Sequence, residues 1–361
     1  MGTMLPTRFG NLCAIAALVL TVQGLSTAAS HPNKEMPPVN VPELALSGGR
    51  SLRYERSFAS DRDVKLKRGF WTRVLDLVAG PPEVHNLVRP YSVAVDSRGR
   101  VIVTDPGIPA VHVFDFARQK YKFIFRDGKE SFRAPQCVAV DSHDNFYVTD
   151  SEAGKIFVFD ADSNFRRAIG SLKGGEGFFK RPTGIAIDDA AQRIYVTDTV
   201  RQKIFVLDIE GSVLKTIGTN GAAGGEFNFP TELKLVDHEL YVVDAMNFRI
   251  QILDLEGHVR TVLGGADPEN LNFFRPKGIA IDSERNLYVV DGLGDMVHVF
   301  DREGRLLYYF GGSGTGPEEF QLPAGLFINR DDQIYVVDSF NRRIQVLRYE
   351  AAKQQVRGAR P

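Results

Sequence analysis

The sequence is poor in sulfur and in tryptophan: 361 residues include two cysteines, five methionines and one tryptophan. Cys13 and Cys137 are too few for a disulfide framework and exclude a cysteine-ligated zinc site. Charge of one sign is also missing. With 44 Lys+Arg against 45 Asp+Glu the formal net charge is -1. That argues against a general nucleic-acid binder, which needs a basic excess to displace counterions. There is no HExxH, no phosphate loop and no nucleophile elbow. What is plentiful is glycine, at 34 residues, within a chain that is 43% hydrophobic. This describes a turn-rich globular protein long enough to bury a sizeable core and excludes a disordered one.

Residues 1–30 have the pattern of a secretory signal peptide. Arg8 is the only charged residue before His31; the apolar run Leu12–Val22 follows it, then the small residues Gly24, Ser26, Thr27, Ala28, Ala29 and Ser30. The run is about half of the ~20 residues a spanning helix needs. Cleavage is expected near Ala29 or Ser30, with an uncleaved membrane anchor as the alternative. Cys13 opens the run instead of following it and a small residue, which argues against lipidation. Removing Arg8 leaves 43 basic against 45 acidic residues, and one thiol. Residues 31–50 hold Pro32, Pro37, Pro38 and Pro42 with little periodicity and are expected to form an extended tether.

Beyond the tether the chain repeats itself. One marker is an aspartate that closes a hydrophobic stretch: Asp105, Asp150, Asp198, Asp244, Asp291 and Asp338, spaced by 45, 48, 46, 47 and 47 residues. A second is a proline, at Pro90, Pro135, Pro182, Pro230, Pro276 and Pro323. Each unit carries four strand signals, in the third unit Gly184–Asp188 (strand a), Arg193–Asp198 (b), Lys203–Asp208 (c) and Val213–Gly218 (d), separated by turn residues. Four short strands per repeat of this length predict a β-propeller blade, whose faces must pack on neighbouring blades.

The fold expected is therefore all-β: a six-bladed propeller over residues 51–349, with a C-terminal tail over 350–361. The sixth unit lacks a fourth strand. Fourth strands elsewhere carry an apolar pair four residues apart, as in Tyr121/Phe125, Phe165/Ile169, Val213/Ile217, Val259/Leu263 and Leu306/Phe310, and Tyr54/Phe58 has the same spacing. Residues 52–58 are thus expected to complete the last blade and close the ring, which removes its exposed edges.

The pattern P-x-G-I-A-I-D, N-L-Y-V-V-D, R-I-Q-V-L-D resembles the NHL repeat of the TolB-like propeller group, over residues 50–349. The resemblance is specific for fold and not for function. NHL propellers serve as protein- or RNA-binding platforms, as receptor sensor domains and as a lyase domain. With its leader, this chain is similar to exported bacterial members, commonly interaction or scaffold proteins.

In such a ring the b–c turns and d–a connections open on one face, here the first face, and the a–b and c–d turns on the opposite one. The family's usual binding surface is the first. The six aspartates fall there, and their regularity predicts turn capping in preference to cation binding. The candidate partner-binding residues are Arg89, Arg181 and Arg275, before the repeat prolines of blades one, three and five, and Lys155, Lys203, Arg249 and Arg343, beside strand c. Either they form a cationic ring for carboxylates or phosphates, or they pair with the turn aspartates. In the channel, Glu232 and Lys234 replace small residues of strand a, either as a polar grip or as a self-neutralising pair.

One insertion interrupts the repeat. From Phe58 to Pro90 there are 32 positions, against 13 from Ile217 to Pro230 and from Phe310 to Pro323. The insertion spans 61–88. Phe70, Trp71, Val74, Leu75, Leu77 and Val78 are spaced for one face of a short helix within 61–80, ended by Gly80-Pro81-Pro82. It is expected to cover the seam of blades six and one or plug the channel, with a partner-docking or membrane-surface helix as alternatives, and Phe70 and Trp71 join the candidate partner-binding residues. No catalytic residue, metal site or cofactor is expected, a divalent cation in the channel being the alternative. The expected function is non-enzymatic binding of a protein or peptide by an exported monomer. A metal-dependent lyase or lactonase-like hydrolase is the second reading, and an RNA-binding platform the third, should the chain stay in the cytoplasm.

Overall fold

A computed structural model describes residues 43–45, 51–64, 83–127, 130–265 and 273–350. Five antiparallel four-stranded sheets follow one another along the chain, over residues 92–124, 135–169, 182–217, 230–264 and 276–311. The sixth contains Leu326–Ile328, Gln333–Asp338 and Arg343–Glu350 from the C-terminal end. Its fourth strand is Ser51–Phe58, antiparallel to Arg343–Glu350, with Tyr54 opposite Leu347 and Phe58 opposite Ile344. The ring closes as the missing strand required.

A bulge between Tyr54 and Arg56 lets one strand serve two seams. An extra residue reverses the in–out alternation of a strand. Leu52 is thereby buried with Tyr288, Val299 and Phe310 of blade five, and Phe58 with Val93, Val103 and Phe114 of blade one. Among the described residues the core consists of six apolar clusters, one between each pair of adjacent blades. The inner strands pack tightest. A Cβ on Gly184 would lie 2.7 Å from the backbone N of Leu233 in the next blade, so the small residues of strand a are what let these backbones meet.

Two expectations need correction. Glu43–Ala45, read as part of the tether, adds a fifth strand outside Ser51–Phe58. In blade one Ile124, not Phe125, is the buried residue of strand d, which ends at Ile124; Phe125 is half-exposed beyond it. Among the described residues no helix is long and apolar enough to cross a membrane.

Candidate functional site

All six repeat aspartates are fully buried. Each accepts hydrogen bonds from its own b–c turn or strand c and also from the backbone just before the repeat proline of its blade. Asp291, for example, accepts from the N–H groups of Leu293 and Gly294 and from those of Phe274 and Arg275, the last at 2.9 Å. The second contact, which sequence reasoning did not anticipate, locks the d–a connections to the b–c turns. Carboxylates saturated in this way have a complete structural role.

The seven candidate cations divide into two groups. Lys155 is buried and pairs with Glu130 at 3.0 Å. Arg249 is buried: its Nε donates to Asp244 at 2.8 Å, and its Nη atoms donate to the carbonyls of Ala222, Ala223 and Glu226. Arg343 repeats this with Asp338, Gly316 and Glu319. Asn247 and Gln251, like Asn341 and Gln345, converge on the same aspartates. These charges are consumed internally, so the expected cationic ring is not continuous. The N-x-R-I-Q run of blades four and six was the available signal, because the asparagine and glutamine flank the arginine as co-ligands of one carboxylate.

Arg89, Arg181 and Arg275 differ. Their backbone N–H groups are bound by Asp105, Asp198 and Asp291, while their side chains are exposed and make no ion pair among the described residues. Lys203, half-buried, likewise has no ion pair among the described residues. Phe70 and Trp71 lie outside the described residues, as does the expected helix. The described ends of the insertion are a 3₁₀ turn, Asp61–Val64, and the segment leading to Leu87. Val64 and Leu87 are buried with Phe58 and Phe114 in the seam of blades six and one.

The same face carries apolar surface. At the second position after the turn aspartate, four consecutive blades present Val200, Met246, Leu293 and Phe340, which are 50%, 53%, 56% and 68% exposed. Phe229, Phe248, Phe274 and Leu322 add to it. Among the described residues, every exposed large apolar side chain outside a strand lies in a b–c turn or d–a connection. None lies in the turns of the opposite face. The residues of this arc are readable in the sequence as the position after each Asp-x pair, but their exposure on one face is set by the ring.

In the channel Glu232 and Lys234 pair at 2.9 Å, the self-neutralising arrangement. Burial pushes the Glu232 carboxyl up, and Lys234 opposes that shift. Cys137 is buried and free, its thiol pushed up by burial. Nearer the first face is Lys277, whose pKa is lowered to about 8 by burial and then by Arg275 and Arg89. The hydroxyl of Tyr91, raised chiefly by burial, also senses Arg275 and Arg181.

Histidines do not gather at the channel. His112 is buried in strand c of blade one, 2.8 Å from the Tyr121 hydroxyl, and burial drives its pKa down to about 3. His85 stacks near Phe123, with Asp61 3.6 Å away. Among the described residues one group, Asp141, His143 and Asp189, brings three metal-binding atoms within 4.8 Å of one another. It sits in a–b turns on the opposite face. Asp141 already accepts from Asn145 and Tyr147, and Asp189 from the N–H of Ser142. The Asp189 contact repeats the tie by which Asp144 accepts from the N–H of Ser97 in the preceding blade.

Comparison with known proteins agrees with this architecture. The DUF5128 family, a 6-bladed beta-propeller, matches residues 111–212, 187–262 and 279–358. The E3 ubiquitin-protein ligase NHLRC1 of Rattus norvegicus is 38% identical over 78 residues, 22% of this chain and 19% of that protein. The chain thus spans about a fifth of that relative. An auxiliary nutrient binding protein from Bacteroides thetaiotaomicron VPI-5482 superposes with a TM-score of 0.58 at 12% identity, covering 73% of this chain and 69% of that one. A virginiamycin B lyase from Staphylococcus aureus does so with 0.55 at 14% identity, covering 83% and 99%. At such identities the likeness carries the fold alone.

Proposed function

We propose that this chain, which belongs to the DUF5128 family of six-bladed β-propellers and is NHL-type in its repeats, is an exported platform that docks a protein partner on its first face. The partner segment is apolar and acidic. The observation that carries the reading is the one-sided surface: the arc Val200, Met246, Leu293 and Phe340, on the same face as the exposed Arg89, Arg181 and Arg275, which have no ion pair among the described residues. Apolar side chains exposed together are characteristic of interaction surfaces, and arginines on the same face select partners by charge. Export rests on the leader-like residues 1–30.

The test is affinity capture from the cell envelope and the medium, comparing wild type, Leu293→Ser with Phe340→Ser, and Arg305→Gln on the opposite face. Partners are expected with wild type and Arg305→Gln and lost with the double variant. Mass spectrometry of the purified protein is expected to find its N terminus near Ala29 or Ser30. Equal capture by all three proteins overturns the docking assignment, and a chain starting at Met1 in the cytoplasm overturns export.

A further inference from the structure

Lys277 breaks the repeat. The residue following the repeat proline is Tyr91, Gln136, Thr183, Thr231, Lys277 or Ala324 in blades one to six, so blade five alone places a charge there. Among the described residues its ammonium has no hydrogen bond or ion pair, and the charged groups there that act on it are Arg275 and Arg89, both of its own sign. A half-buried cation among like charges is disfavoured, and an anion that joins it relieves both effects.

The surroundings are shaped to hold these side chains. Gly292, in the b–c turn of blade five, lies against the Lys277 stem, and a Cβ there would come 2.9 Å from Lys277 Cδ and Cε. Gly107 does the same for Arg89, whose Cβ would be 2.6 Å away. The backbones that carry Arg89 and Arg275 are pinned by Asp105 and Asp291, each bond 2.9 Å long. Those carboxylates are turned inward on backbone N–H groups. Glu232, the carboxylate that reaches Tyr91, is held by Lys234. Cations therefore converge from blades five and one, and among the described residues no carboxylate pairs with them.

We propose that Lys277, Arg275 and Arg89 form a binding site at the channel mouth for a ligand bearing two or more carboxylates. Arginine offers forked donors to a carboxylate and lysine a compact charge, so a set spread over two blades matches an anion whose charge is spread over several groups. The carboxylates come either from a free polycarboxylate or from acidic side chains of a docked segment. In the second case the site deepens the reading of this face as a docking surface.

The experiment is isothermal titration of the full chain with citrate and, separately, with a capped tetraglutamate peptide. Wild type is expected to bind at least one of them. Lys277→Met and Arg275→Gln are each expected to weaken it about tenfold or more. Arg305→Gln, an equal charge change on the opposite face, is expected to leave it unaltered. Tighter citrate assigns a free anion, and tighter peptide assigns a partner's side chains. Failure of both probes to bind wild type overturns the site, as does undiminished binding by the variants or an equal loss in Arg305→Gln. Arg275 is exposed, so its variant keeps the test open should Lys277→Met not fold. Citrate binding that survives in Leu293→Ser with Phe340→Ser separates this site from the fate of the apolar arc.

Discussion

The two faces of the ring are built from the same six repeats and end in opposite chemistry. On the face of the a–b and c–d turns, polar side chains find partners across the seams. Arg98 reaches Asp144 at 3.2 Å, Arg167 binds Glu210, Lys215 reaches Glu256 at 2.6 Å, and Arg285 binds Asp237. Ser283 donates to Asp332, and Arg56 stacks over Phe116 at 3.9 Å where the ring closes. This face is a set of staples between blades. On the other face the six repeat aspartates are turned inward onto backbone N–H groups, and arginine and apolar side chains are left outward. The difference teaches that a charge marks a binding surface only where the fold has not already supplied its partner.

The sharpest way to break this comparison is to remove an inward carboxylate. Asp244→Ala strands the buried Arg249 and releases Asn228, Asn247 and Gln251. Loss of one partner of a buried pair costs about 3–5 kcal/mol, so chemical denaturation is expected to show a loss of that order. A loss below about 1 kcal/mol, the range of exposed pairs, would mean that the aspartate is dispensable to the first face.

A smaller effect concerns His112, a titratable group near this face that looks functional. Its folded pKa of about 3 lies below the ordinary 6.5 because of burial. The unfolded chain therefore takes up the proton first, and stability falls as pH drops from about 6.5 towards 3. Phenylalanine occupies the same repeat position at Phe157 and Phe205. His112→Phe is expected to reduce the loss between about pH 6.5 and pH 5 by roughly 2 kcal/mol in urea denaturation. Asp105, raised by burial, titrates with the opposite sign in both proteins. Parallel pH profiles for the two would mean that His112 is protonated in the fold.

The smallest effect is on the stapled face. Arg305 pairs with Asp301 and Glu303 within its own turn, exposed to solvent. Arg305→Gln is expected to leave the melting temperature unchanged, and a clear drop would show that these surface pairs carry more of the fold than the inward ones.

Much of the architecture was legible because it is periodic. The Asp and Pro markers located six blades, and Tyr54/Phe58 located the closing strand. Glu43–Ala45 was not legible, since three residues in a proline-rich stretch have no pattern of their own and become a strand only because Ser51–Phe58 offers an edge. At the candidate site, position in the repeat named Arg89, Arg181 and Arg275 as candidates. It failed to separate them from Lys155, Arg249 and Arg343, whose partners lie in the connections before their blades, 23 to 27 residues away for the carbonyls that bind the two arginines.

By itself the sequence determined the number of blades, the strands within each and the closing of the ring, because these follow from local alternation and a repeat spacing. Tertiary structure alone decided which charges remain unpaired and where apolar side chains gather into an arc. Those properties depend on residues brought together from different blades and loops, and a hydrogen bond or a like-charge contact exists only once the ring has placed both groups at the same point in space.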